Sequence, residues 1–231
     1  MLRVGLTGSL GSGKSTVSQF FRELGAEVVE SDELGRALME PGQVVYAEIV
    51  RRFGAEVALP DGRLDRARLA KIAFDDGRVK ELNAIVHPAV IDAQSQWMER
   101  VFAHNPAAVA IVVSALIFEV ERDARENASA MSIFADLRKR IDRIVLVTAP
   151  DDVKIARYIG RVCADGAGRE KAEADARSRL AHQIPDTDKA ARADYLIQNT
   201  GDLASLRRQV EKLWERLKDE SNKFPMRESL K

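Results

Sequence analysis

Across 231 residues, 36 Lys and Arg balance 36 Asp and Glu, so the formal net charge is zero, and 45% of the chain is hydrophobic. This composition suits a chain that folds around a core, long enough for one domain with a sizeable insertion. Neutrality excludes a general nucleic-acid coat or a polybasic membrane binder, and a single cysteine, Cys163, excludes an internal disulfide and a cysteine zinc cage.

Leu2–Thr7 is the first predicted strand, and Gly8 to Gly13 interrupts it before a signal-peptide core could be completed. A helical pattern runs from Ser15 through Leu24, followed by a second strand at Ala26–Glu30. Ser31 to Met98 reads as a long helical insertion, broken at Pro41-Gly42, Pro60-Asp61-Gly62 and His87-Pro88. The third strand, Ala108–Ser114, sits in the longest apolar run, Ala107–Phe118, which falls short of the ~20 residues that span a bilayer. A cytoplasmic chain in a reducing compartment, with no membrane and no nucleic-acid partner, is therefore expected.

Arg143–Thr148 is the fourth strand, and Asp151 to Arg192 is a second, highly charged helical stretch with a loop at Asp165-Gly166-Ala167-Gly168. Tyr195–Gln198 is the fifth. In the last helix Leu203, Leu206, Val210, Leu213, Trp214 and Leu217 form one apolar stripe, with Asp202 placed to cap it. The mixed-charge tail beyond Leu217 is expected to fray. Ile111–Val113 and Ile144–Val147 are apolar in a row, as in strands buried on both faces, and strand–helix alternation predicts an α/β doubly wound parallel sheet. The predicted layout is one domain over 1–231. Its core is about 1–31, 99–150 and 193–217; the insertions are about 32–98 and 151–192, and the tail 218–231.

Gly8-Ser9-Leu10-Gly11-Ser12-Gly13-Lys14-Ser15 matches G-x-x-x-x-G-K-[ST] at every fixed position, between a strand and a helix. Glycines let backbone N–H groups turn toward phosphate oxygens, and the following helix adds its positive end. Lys14 supplies a charge for the β and γ phosphates, Ser15 a hydroxyl for Mg²⁺, and Thr16 a hydrogen bond to a phosphate oxygen. The motif points to nucleoside triphosphate binding.

Such a loop serves kinases, switches and motors alike. Asp32-Glu33-Leu34-Gly35 and Ser114-Ala115-Leu116 imitate GTPase elements, but the N-K-x-D that reads guanine is missing, since Asn222-Lys223 is followed by Phe224-Pro225. On a kinase reading, Ser31 or Asp32 caps a helix after the second strand and Asp32 accepts the proton of an attacking hydroxyl. Arg36, four residues on, holds an anionic group of the acceptor. A capping Asp in a solvated i,i+4 salt bridge fits the same spacing.

The chain resembles the dephospho-coenzyme A kinases. The resemblance runs through Gly5-Leu6-Thr7-Gly8 with the phosphate loop, Ser31-Asp32 to Arg36, Glu40-Pro41-Gly42, Phe53-Gly54, and Asp61-Gly62 with Leu64. It continues through Leu82-Asn83 into His87-Pro88, Leu116 to Glu119, Gln183, Lys189, Ala193-Asp194-Tyr195, and Ile197 with Asn199. It implies a P-loop kinase fold whose five-stranded sheet carries an acceptor-binding insertion and a lid. It also implies ATP- and Mg²⁺-dependent phosphorylation of the ribose 3′-hydroxyl of dephospho-CoA. In that scheme Gly8 to Thr16 hold ATP, Asp32 is the base, and Arg36, Asn83, His87 and Pro88 line the acceptor side. Arg157 comes over the phosphates as the lid closes, with Arg161 on the same helical face. Another small-acceptor kinase, of the nucleoside monophosphate type, is the alternative, and a nucleotide-dependent switch protein the more distant one. The chain departs from the family at Ala115, usually Pro, at Glu30, often Asp, and in a longer stretch from Glu121 to Arg140, readable as a partner surface. Around Val162-Cys163-Ala164 the lid looks inserted, which leaves Arg161 and Arg169 both open as lid arginines.

Overall fold

The computed structural model describes residues 1–126, 136–163 and 168–223. The middle of the Glu121–Arg140 stretch, most of the loop predicted at 165–168, and residues from 224 on lie outside the described residues; of the tail expected to fray, 218–223 instead continue the last helix, with Ser221 buried. In chain order the elements are β1 (Leu2–Thr7), α1 (Lys14–Glu23), β2 (Glu27–Glu30), α2 (Ser31–Leu38), α3 (Val44–Phe53), α4 (Arg66–Asp75) and α5 (Val79–His104). Then come β3 (Val109–Val113), α6 (Ile117–Glu126), α7 (Leu137–Arg140), β4 (Arg143–Thr148), α8 (Asp151–Val162), α9 (Arg169–His182), α10 (Asp186–Ala190), β5 (Tyr195–Gln198) and α11 (Leu203–Lys223). The chain divides into two compact units, Met1–Val28 with Met98–Lys231, and Val29–Trp97.

The sheet is parallel, in the order β2-β3-β1-β4-β5. Leu2 to Leu6 pair with Val109 to Val113, Val4 to Thr7 with Arg143 to Leu146, and Val145 to Thr148 with Tyr195 to Gln198. Because successive side chains of a strand point to opposite faces, each buried run feeds two layers. Val4, Leu6, Ile111, Val145 and Val147 meet Val17 and Phe21 of α1 and Val210, Leu213 and Trp214 of α11. On the other face Ile144 packs with Ile117, Phe118, Leu137 and Ile141. Gly5 lets the strand lie close to this layer, since a Cβ would stand 2.9 Å from Ile117 Cδ1 and push that side chain aside.

In α11 the Asp202 carboxylate accepts the Ser205 N–H at 2.7 Å, the cap expected from sequence. Leu203, the first residue of the helix, leaves the expected stripe and is 66% exposed. Trp214 is 7% exposed and meets Phe21 edge-on, with centroids 6.4 Å apart. Trp214→Ala is therefore expected to cost about 3–5 kcal/mol of unfolding free energy, read as a lower midpoint in urea. A shift under 0.5 kcal/mol would show that the position carries no packing.

The unit Val29–Trp97 has its own core, Val45, Ile49, Phe53, Val57, Leu64 and Leu69, closed by Leu82, Ile85, Val86 and Ala89. Pro41-Gly42 and Pro60-Asp61-Gly62 fall between helices as expected, but His87-Pro88 does not: α5 runs through Pro88 without a break. Proline forfeits one backbone hydrogen bond, toward the Ala84 carbonyl. Leu82, Ile85, Val86 and Ala89, packed into the core on either side of the lost bond, keep the helix going.

Candidate functional site

The phosphate loop leads directly from β1 into α1, which starts at Lys14, one residue before the sequence pattern places it. Gly13 is the N-cap residue, at φ 98°, and no side chain caps the helix. The first-turn N–H groups therefore face the loop's mouth with no side-chain partner, an arrangement that suits an anion. Lys14 Nζ donates to the Gly8 and Ser9 carbonyls at 2.7 and 3.1 Å, which places the ammonium over the loop. Ser15 is exposed, whereas Thr16 is half-buried and donates its N–H to Gly13.

The end of β5 supports the loop from outside. Asn199 is buried; its Nδ2 donates to the Ser12 carbonyl at 2.9 Å, and its Oδ1 and backbone carbonyl accept from Arg157 Nη2 at 3.2 and 3.1 Å. A Cβ on Gly13 would stand 2.1 Å from Asn199 Nδ2, so only glycine leaves the amide its place. Arg157 is thus docked beside the loop. Arg161 instead lies over the Tyr158 ring at 5.6 Å, and Arg169, the first residue of α9, is exposed.

Two polar atoms here are buried without a partner among the described residues, Ser12 Oγ and Arg157 Nη1. Buried groups of this kind are otherwise almost always satisfied, and at this position they suit a ligand rich in oxygen acceptors. The loop therefore fits a triphosphate. For magnesium the fit is that of a shared site: among the described residues no group of three or more His, Cys, Asp or Glu side chains could hold a metal. Mg²⁺ characteristically takes one or two protein oxygens and completes its shell with water and phosphate. Ser15, at the start of α1, offers such an oxygen.

A second set of supports joins Gln183, Glu119 and Lys189, which the resemblance includes without a role, with Asp186 and Lys154, which no sequence signal marks. Asp186 Oδ1 accepts from Ser9 Oγ at 2.9 Å, and its Oδ2 accepts from Thr148 Oγ1 at 2.7 Å and pairs with Lys154 Nζ at 2.6 Å. The Leu10 N–H donates to Gln183 Oε1 at 3.1 Å. Burial pushes the Asp186 carboxyl up, but the hydrogen bonds from Lys154, Thr148 and Ser9 and the Lys154 charge hold it below the usual aspartate range. Further along, buried Lys189 pairs with Glu119 at 2.8 Å.

In the Val29–Trp97 unit, Asp32 is the second residue of α2 and is exposed, as is Arg36 one turn later. The expected cap is absent. Glu30 is the N-cap residue and makes no side-chain cap bond, while Ser31 is buried with its Oγ accepting from Gln94 Nε2 at 2.9 Å. Ser31 is committed to α5, and Asp32 is left as a first-turn carboxylate. Nor does the i,i+4 salt bridge form, since neither the Asp32 nor the Arg36 side chain has a hydrogen-bond or ion-pair partner among the described residues. Asn83, His87 and Pro88 lie half-buried on α5, with Asn83 and His87 one turn apart. α2 lies against α5 at Gly35, which is buried, and a Cβ there would be in ordinary contact with Val90 at 3.6 Å.

Comparison with known proteins agrees with this construction. Residues 2–205 match the family model described as dephospho-CoA kinase. The chain is 38% identical over 218 residues to the dephospho-CoA kinase of Syntrophotalea carbinolica, covering 94% of this chain and 92% of that one. It is 42% identical over 199 residues to that of Anaeromyxobacter dehalogenans, covering 86% and 83%. Among solved structures, TT1252 from Thermus thermophilus matches with a TM-score of 0.68 at 28% identity, over 94% of this chain and 97% of that one. The dephospho-CoA kinase from Campylobacter jejuni, at 20% identity and a TM-score of 0.63 over the same shares, has the same fold. With a match that spans the phosphate loop, both helical insertions and the last strand, the chain belongs to the dephospho-CoA kinase family.

Proposed function

We propose that this chain transfers the γ-phosphoryl group of ATP to the ribose 3′-hydroxyl of dephospho-CoA, giving CoA and ADP, with Asp32 as the catalytic base. The observation that carries the reading is the phosphate loop with its orphaned donors, in a chain that matches this family over residues 2–205. Gly8 to Gly13 cradle the phosphates through backbone N–H groups, and Lys14 neutralises charge at the β and γ positions. The acceptor oxygen bonds to the γ-phosphorus as the bond to the β–γ bridging oxygen breaks, and ADP leaves. Asp32 takes the hydroxyl proton. Its exposure, and the absence of a competing side-chain partner among the described residues, support that role. Arg36 holds an anionic group of the acceptor, and Asn83, His87 and Pro88 shape the acceptor side.

Arg157 neutralises charge that develops on the phosphates, acting from its seat on Asn199. The α8–α9 segment serves as the lid; closing it excludes water, which would otherwise compete for the phosphoryl group. Mg²⁺, when bound, shields the phosphate oxygens from the incoming nucleophile, and Ser15 is the residue that would hold it. Ser15→Ala is accordingly expected to raise the Mg²⁺ concentration for half-maximal turnover by roughly tenfold, the cost of about one oxygen ligand. An unchanged magnesium titration would remove Ser15 from the metal site.

The reaction is tested by following ADP release with Mg-ATP and dephospho-CoA against a panel of nucleoside monophosphates. ADP release that depends on dephospho-CoA supports the proposal. Turnover of AMP or CMP but not dephospho-CoA would make the chain a nucleotide kinase.

A further inference from the structure

The phosphate loop's contacts with Asp186 and Gln183 go beyond holding a triphosphate. Ser9 and Leu10, consecutive in the loop, are both bonded just beyond α9, through Asp186, the first residue of α10, and Gln183, the residue that follows α9. Asp186 also reaches Lys154, which is on α8, so one carboxylate touches the start and the end of the α8–α10 segment. Lys154 is anchored on both sides. Its side chain, 4% exposed, bonds Asp151 at 3.0 Å as well as Asp186, and its backbone carbonyl abuts Gly11, where a Cβ would come within 2.2 Å. Arg157, docked on Asn199, follows less than one turn later on the same helix.

We propose that Asp186 is a positioning residue for phosphoryl transfer, whose carboxylate clamps both stems of the α8–α10 segment to each other and to the phosphate loop. The inference rests on the kinase reading above and extends it. A buried ion pair contributes little net stability, because desolvation offsets the Coulomb attraction. Geometry is where such a clamp has its effect. Moving Lys154 moves the wall behind Gly11 and the helix that carries Arg157, and a displacement of about 1 Å at a reacting centre costs on the order of a hundredfold in rate. The cluster is invisible to sequence patterning, since its members are separated by up to 177 positions.

The test compares wild type with Asp186→Asn and with the double variant Asp186→Asn, Lys154→Met, measuring kcat, KM for dephospho-CoA and the thermal midpoint of each. Wild type must first release ADP in a dephospho-CoA-dependent way; its failure to do so would count against the kinase reading, not against the clamp. Asp186→Asn leaves buried Lys154 with only the exposed Asp151 as a charged partner, so the midpoint falls, while kcat drops about ten- to hundredfold and KM stays within about threefold. In the double variant the stranded charge is gone and the midpoint recovers, but kcat stays at least about tenfold down because the clamp is still missing. If kcat recovers together with the midpoint, or if Asp186→Asn keeps kcat within threefold of wild type, the role is structural and the proposal is overturned. Should both Asp186 variants fail to fold, Thr148→Val decides. It removes one hydrogen bond to the same carboxylate, and kcat is expected to fall at least threefold with the midpoint held; unchanged kcat overturns the proposal.

Discussion

Asp32→Asn is expected to lower kcat by about 10²–10⁴, the range that general base catalysis supplies, or about 3–5 kcal/mol of barrier. Asparagine has the shape of aspartate and the same hydrogen-bonding reach, but it cannot take a proton. Asp32 is exposed at the start of α2 and without a partner among the described residues, so the change strands no buried group. The stability change should therefore stay within about 0.5 kcal/mol. ATP affinity, measured by titration calorimetry, should be unaltered, because the phosphates are held by the loop and by Lys14. A variant that binds ATP normally and turns over at a near-normal rate would remove Asp32 from the mechanism.

Gly11→Ala should abolish the phosphate site by a different route. Gly11 has φ +72°, a region that L side chains rarely adopt, and its Cβ would sit 2.2 Å from the Lys154 carbonyl oxygen and 2.8 Å from its carbon. Both obstacles are backbone, so no rotamer change relieves them. Either the loop leaves α8, breaking the Leu10 bond to Gln183, or α8 moves and carries Arg157 away from Asn199. ATP affinity is expected to fall at least about a hundredfold, which is about 2.7 kcal/mol. Gly25→Ala is the matched control. Gly25 also has positive φ, +98°, but nothing lies within 4 Å of its Cβ position. It should lose some stability and keep its ATP affinity. Equal losses of affinity in the two variants would show that backbone strain, and not the contact with Lys154, accounts for the effect.

What could be read from the residues alone was what lies in one short stretch. The five strands were legible because each is a compact apolar run, and the observed bounds of Leu2–Thr7, Arg143–Thr148 and Tyr195–Gln198 match the expected ones. The phosphate loop was legible because eight consecutive positions carry it. Ser31 was misassigned as a cap because its partner, Gln94, lies 63 residues away and a local pattern cannot register it. Pro88 was read as a break because proline's local cost is large, while the packing that outweighs it comes from α3 and the turns after it. Asn199 enters the resemblance without a role, although it is a polar residue just past the last strand, where α/β sheets bind ligands. Lys154 and Asp186 carried none. On a highly charged stretch, a lysine and an aspartate look like a solvated face until the fold buries them together.

The reaction itself is tested most directly by the position of the new phosphate. Purified protein is incubated with Mg-ATP and dephospho-CoA, ADP is quantified, and the product is examined by phosphorus NMR. One new phosphomonoester per ADP, its phosphorus coupled to the ribose H3′, is the expected result. Absence of ADP release that depends on dephospho-CoA, or a phosphate at any other oxygen, would contradict the assignment of this chain as the kinase that completes CoA.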